Sequence, residues 1–287
     1  MVGFARIILG DGYDSQFNPG DFSIETLPIA SLDYEPMETA WKTALAIMHS
    51  SSGRQALSKL AAALRPTEDS TASVDCFIAD LSDDQHVPKY LLLADGRLAL
   101  PVLGEHKRPL LAIHLNKQYV RSIGATMGDE ESRLRCLLAT TIVHEFAHCF
   151  VTFLGYTERD VTPEGINHPS FAGEEEGQGE SGRFLEWHLW GGALEWQSPD
   201  AGQLVGDLFL LDESSNARLV LRRQVSEIGL YRDSDTPLEL GVFQLESEPN
   251  DVTYPGSEGF RGLRSFARSP NPLPKEMLAD KLKAASM

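Results

Sequence analysis

TTIVHEFAHCF, Thr140 to Phe150, sets two histidines four residues apart around a glutamate. It is either a metal site or one polar stripe on a buried helix. No Pro or Gly lies nearby, and Ile142, Val143, Phe146, Ala147, Phe150 and Val151 flank the polar residues. On a helix, residues four apart lie on one face, one turn apart. His144 and His148 can then bind one ion through neutral imidazole nitrogens, at roughly 2.0 to 2.1 Å. Glu145 sits about 100° around the helix and would not be a ligand. It is placed instead to take a proton from a water activated by the ion. A histidine pair buried without a partner is costly, and metal ligation compensates for that cost.

The surrounding pattern predicts a helix from about Asp129 to Leu154. Thr126 and Asp129 read as a capping box, acidic residues fill the first turn, and Gly155 offers the C-cap. Upstream, residues 1 to 35 look irregular. PMETAWKTALAIM (36 to 48) and SGRQALSKLAAAL (52 to 64) have helical spacing and read as a helical hairpin. SVDCFIADL (73 to 81) reads as a strand, and KYLLLADGRLALPVL (89 to 103) as a hairpin turning at Asp95-Gly96. RPLLAIHLN (108 to 116) reads as another strand.

Downstream, 156 to 178 reads as a polar loop, and a second helix should run from about Glu180 to Trp196. GDLFLLD (206 to 212) and NARLVLRR (216 to 223) are strand-like. Residues 248 to 274 are rich in Pro, Gly and Ser, and PKEMLADKLKAA (274 to 285) would close the chain as a helix. The fold class is α+β. An N-terminal lobe would span 1 to 125, a metal-binding helical core 126 to 200, and a C-terminal part 201 to 287, together one two-lobed domain.

The stretch Thr141 to Phe150 resembles the zincins, the HExxH metallopeptidase clan, whose longer pattern asks for uncharged residues around the histidines. The resemblance covers about Leu111 to Gly192. It implies a zincin-like fold, a catalytic zinc, and a strand before the helix that forms a sheet edge for extended substrate. RPLLAIHLN is that candidate, and strand addition is a recognised way to bind peptides. The metzincin extension would need Gly and His where this chain has Val151 and Leu154, so that subfamily is excluded. The gluzincin arrangement takes a third ligand from a later helix.

Glu180 is the first choice for it. It opens GESGRFLEWHLWGG and shares a face with Phe184, Trp187 and Gly191, so its carboxylate would point at the core. Glu186, expected to ion-pair with Arg183, the run Glu174 to Glu176, and the loop His168 stay open as alternatives. Many gluzincins carry an acidic residue four positions after the ligand, and here that position is Phe184. His188 is the first candidate for stabilising an oxyanion, ahead of Tyr156, Tyr231 and Tyr254. Gly177 to Gly182 matches GxGxxG, but three preceding glutamates would repel a pyrophosphate. Its glycines fit better as a close approach between helices.

The formal charge of -17 disfavours nucleic acid and anionic membrane as partners. Three scattered cysteines, no sequon and no signal-like start favour a cytoplasmic setting. The expectation is a zinc hydrolase, first a metallopeptidase with Glu145 as general base, acting on a peptide or, in the rival readings, a small molecule. Fe2+ is the alternative metal, because two histidines and a carboxylate serve both ions. An iron oxygenase, a non-peptidase hydrolase and a metal-stabilised binding protein are the rival readings.

Overall fold

The structure is a computed structural model. It describes residues 6–10, 24–26, 28–67, 69–82, 91–94, 112–155, 162–163, 165–169, 179–196, 205–213, 217–232, 237–240 and 243–245. The Asp95-Gly96 hairpin turn, Glu174 to Glu176, Tyr156, Tyr254, the 248–274 segment and the terminal helix lie outside them.

The architecture is α+β, with a helical core flanked by two sheets. Apolar residues at helical spacing build α1 (Tyr34–His49), which buries Met37, Ala40, Trp41, Ala44, Ile47 and Met48. Ser50 ends it and starts α2 (Ser51–Leu64), its hydroxyl accepting the Gly53 N–H at 3.0 Å. The next element, α3 (Ser70–Leu81), corrects the strand expected over 73–81. Asp69 caps it by accepting the Thr71 and Ala72 N–H groups. Val74, Phe77, Ile78 and Leu81 are buried, a spacing that belongs to one helical face.

The N-terminal stretch corrects a second expectation, because it is not all irregular. Strand β1 (Arg6–Gly10) is the centre of a four-stranded sheet with β2 (Ile24–Thr26), β3 (Leu91–Ala94) and β4 (Ala112–Asn116), in the order β2-β3-β1-β4. β1 pairs in parallel with β3, Ile8 opposite Leu92, and with β4, Ile8 opposite His114. β2 runs antiparallel to β3. Among the described strands β4 is an edge. It leads directly into α4 (Lys117–Ala125).

The long helix α5 (Asp129–Phe153) carries the histidines. Its N-cap is Gly128, and no side chain caps it, so the expected capping box does not form. Thr126 instead donates back to the Ser122 carbonyl at 3.0 Å, closing α4. Asp129, Glu130 and Glu131 still complement the dipole of the first turn. Ile142, Val143, Phe146, Ala147 and Phe150 are fully buried. Phe146 meets Trp41 edge-on with ring centroids 5.1 Å apart, and Phe150 meets Phe77 at 4.9 Å. Fully burying such a side chain stabilises by about 1.5 to 3 kcal/mol. By length and composition α5 could cross a membrane, but 67% of its apolar window is buried inside the protein.

Helix α6 (Ser181–Trp190) ends earlier than the sequence pattern implied. Gly191 takes the left-handed conformation at φ 87°, and residues 193–196 form a strand, β5 (Ala193–Trp196). β5, β6 (Leu208–Leu211) and β7 (Ala217–Leu219) make an antiparallel sheet in that order. The expected strand over 216–223 stops at Leu219, and α7 (Arg222–Gly229) follows. Gly229 lies against the Ser132 backbone in the first turn of α5. One contiguous apolar core runs from Tyr34 to Phe243 through α1 to α7.

Candidate metal centre

The chain reaches α6 through a loop that docks on its first turn. Gly179 N–H donates to the Thr162 carbonyl at 2.8 Å, and Glu180 N–H to the Ile166 carbonyl at 2.6 Å. These bonds fix the backbone just before α6. Glu180 is the N-cap, its Oε2 accepting the Arg183 N–H at 2.8 Å. It stands one position outside the helix, so the helical phase assumed for it does not apply. The carboxylate nevertheless turns to the histidines of α5.

His148 Nε2 lies 2.6 Å from Glu180 Oε1, and His144 Nε2 lies 3.5 Å from Glu180 Oε2. One donor atom from each of the three residues lies within 4.8 Å of the others, and among the described residues no other such group occurs. Both Nδ1 atoms are held from behind. Glu186 Oε1 sits 2.7 Å from His144 Nδ1, and Ser181 Oγ sits 3.0 Å from His148 Nδ1. Thr162 donates to the same Ser181 oxygen at 3.2 Å. Outer partners of this kind fix tautomer and ring orientation in metal-ligating histidines. With the Nδ1 atoms so engaged, both Nε2 atoms face Glu180.

Gly182 is what lets the two helices meet here. A Cβ at that position would overlap the His144 imidazole ring. The close helix approach read from the GxGxxG stretch thus has a concrete partner, the His144 ring.

The electrostatics call for positive charge. Glu186 and Glu195 are buried, as is Arg183, and the Glu180 side chain is only 14% exposed. Three carboxylates against one guanidinium leave the cluster two positive charges short if the histidines are neutral. Without an ion the histidines meet the deficit. Burial alone would lower the His144 pKa, but Glu180 and Glu186 outweigh it and hold the imidazole well above its ordinary value. His148 is raised against burial in the same way, mainly by Glu180. Burial would raise the Glu180 pKa, and the two imidazoles hold it well below the carboxylate range.

The donor set fits a divalent cation. It would balance the charge with both histidines neutral. Tetrahedral ligand atoms bonded at 2.0 to 2.1 Å lie about 3.4 Å apart. The 3.5 Å His144–Glu180 separation is already of that size. The 2.6 Å His148–Glu180 separation is that of a hydrogen bond, and it must open by under about 1 Å to admit an ion.

Glu145, next to His144, is half-buried and makes no hydrogen bond or ion pair to another described residue. Its charge is felt at His148. His188 is held elsewhere. Its Nδ1 is 3.4 Å from Lys59 Nζ on α2, and its ring stacks on Trp187 and meets Phe184 edge-on, each at 4.5 Å. No contact among described residues joins it to the three converging side chains. Burial, then Lys59, push its pKa down to about 4.

His168 is fully buried against the edge of Trp187, outside the donor group. Tyr231 follows α7 beside the first turn of α5, about 18 Å along the helix axis from His144. Glu186 does contact Arg183 at 3.5 Å, as its sequence spacing implied. Its link to His144 was missed, as was that of Ser181 to His148. The departure at Phe184 left open whether support for a histidine came from elsewhere or Glu180 was not the ligand, and it named neither residue.

No protein-family model matches the chain, and neither does any curated protein or solved structure.

Proposed function

We propose that the chain is a zinc-dependent hydrolase of zincin-like fold that cleaves peptide bonds. The observation that carries this reading is the convergence of His144 Nε2, His148 Nε2 and the Glu180 carboxylate. Behind them Glu186 and Ser181 engage the Nδ1 atoms. His144, His148 and Glu180 hold the metal. Bound zinc lowers the pKa of water to about 7 and polarises a carbonyl. Glu145 is the general base. It takes the proton of the attacking water and returns it to the leaving amine. The lack of a competing ion pair to Glu145 among the described residues and the 37% exposure of the His148 side chain both suit this role, since water must reach them. Peptide substrate would add to β4, an edge among the described strands.

The test is Glu145→Gln. Zinc content is measured alongside cleavage of a mixed synthetic peptide library read by mass spectrometry. The variant should keep one zinc per chain and lose about 10² to 10⁴-fold in rate. Wild-type cleavage by a zinc-loaded variant would remove Glu145 from the base role. Metal analysis of the purified wild type decides between zinc and iron, and iron would turn the reading towards oxygenase chemistry.

A further inference from the structure

We propose that Glu195, on β5 and outside the metal ligands, is a positioning residue for His144, acting through Arg183 and Glu186. The proposal rests on the metal reading above. It starts from a buried chain of contacts. Glu195 ion-pairs with Arg183 Nη2 at 2.5 Å. Arg183 Nη1 donates to the Leu194 carbonyl at 2.8 Å and lies 3.5 Å from Glu186 Oε2. Leu194 N–H donates to that same Oε2 at 2.9 Å. Glu186 Oε1 then faces His144 Nδ1.

A guanidinium is a planar fork with donors in fixed directions. Here the fork is divided between a carboxylate on one side and a backbone carbonyl and a second carboxylate on the other. Glu195 holds its outer arm, so Glu186 is not drawn fully onto Arg183. That leaves Glu186 Oε1 free to accept from His144. With donors on its Oε2 from Leu194 and Arg183, Glu186 serves His144 as an acceptor. The proton between them sits on Nδ1, which leaves the Nε2 lone pair of a neutral His144 for the ion.

Remove the Glu195 charge and one arm of the buried guanidinium is released, with Glu186 Oε2 a carboxylate oxygen it already touches. The fork turns toward it, and Glu186 leaves His144. Glu195 is 1% exposed, so bulk water does not screen the change. A carboxylate at such a position is costly to bury unless it holds a partner in place.

The experiment is zinc affinity by competition with a chromophoric chelator, on wild type, Glu195→Gln and Arg183→Lys. Each variant should bind zinc about 10-fold more weakly, the size typical for loss of an outer partner of a metal ligand. Glu35→Gln is the control. It breaks the ion pair of Glu35 with Arg135, 2.9 Å long and far from the site, and should leave zinc affinity unchanged. The hydrogen-bonded Nδ1–H of His144, followed by NMR, should shift in Glu195→Gln and not in Glu35→Gln. If one site variant fails to fold, the other decides. Wild-type affinity in a folded site variant overturns the proposal, and so does an equal loss in Glu35→Gln. If the wild type itself binds no zinc, the metal reading falls, and that result is distinct from a variant that binds like wild type.

Discussion

Gly182 carries no side chain because the His144 ring occupies the space beside it. Even a methyl group there must displace a ligand or push α6 away from α5. Overpacking of this kind costs about 1 to 3 kcal/mol. Gly182→Ala should therefore lower stability by that amount and weaken zinc binding as well. Urea unfolding and zinc titration on the same sample check it, and a variant as stable and as tight as wild type would contradict the close approach. At this scale much of the site was legible. His144 and His148 share one helix face, as their spacing implied, and Glu145 follows only as a candidate. Glu180 was reached through a helical phase that it does not have, since it is the N-cap. Its apolar neighbourhood, not its phase, was the sound part of that inference. Glu186 and Ser181 were not legible as partners of the histidines, because their roles depend on how α6 rolls against α5, which no local pattern records.

Elements were read well where one face is clearly apolar and badly where an end signal lay outside the window. The stripe of α5 and the spacing of α1 and α2 gave their helices directly. Over 73–81 the deciding residue was Asp69, four positions upstream, whose cap commits the chain to helix. At the end of α6, the helix expected to reach Trp196 runs past Gly191, the stronger signal. The conformation of Gly191 makes this testable. At φ 87° an L-residue is strained, and Gly191→Ala should destabilise by about 1 to 2 kcal/mol. Gly124 near the end of α4 has nothing within 4 Å of its Cβ position and no such φ, so Gly124→Ala should stabilise by about 0.5 to 1 kcal/mol. Thermal unfolding of the two variants should shift in opposite directions. Shifts of the same sign would mean that one of these two helix ends is misassigned.

For the molecule as a whole, the described histidines split into two groups that respond to pH in opposite senses. His168 is fully buried, and burial pushes its pKa down to about 4. An unfolded histidine titrates near 6.5. The unfolded chain therefore binds more protons between these values, so stability is full above pH 6.5 and falls as pH drops towards 4. The loss is about 3 kcal/mol, and His168→Gln should remove most of it when urea unfolding is compared at pH 7.5 and 4.5. An unchanged pH dependence would contradict the burial of His168. His144 and His148 are raised in the metal-free chain, so their contribution is full below pH 6.5 and is lost as pH rises through the raised values. Zinc should restore stability on that alkaline side.

The place of β1 at the centre of its sheet has a consequence for the chain as it is made. Arg6–Gly10 gains its first neighbour only when Leu91 arrives, and its second only with Ala112. A ribosome adding roughly 5 to 20 residues per second spends roughly 4 to 16 s between the two ends of that first pairing. Through that interval Ile7, Ile8 and Leu9 leave the exit tunnel with both ladder edges open. α1, α2 and α3 are synthesised in the meantime and can fold on local contacts alone. The nascent protein thus has its first three helices before its first sheet, and it passes through a stage in which an apolar strand is available to any other chain emerging beside it.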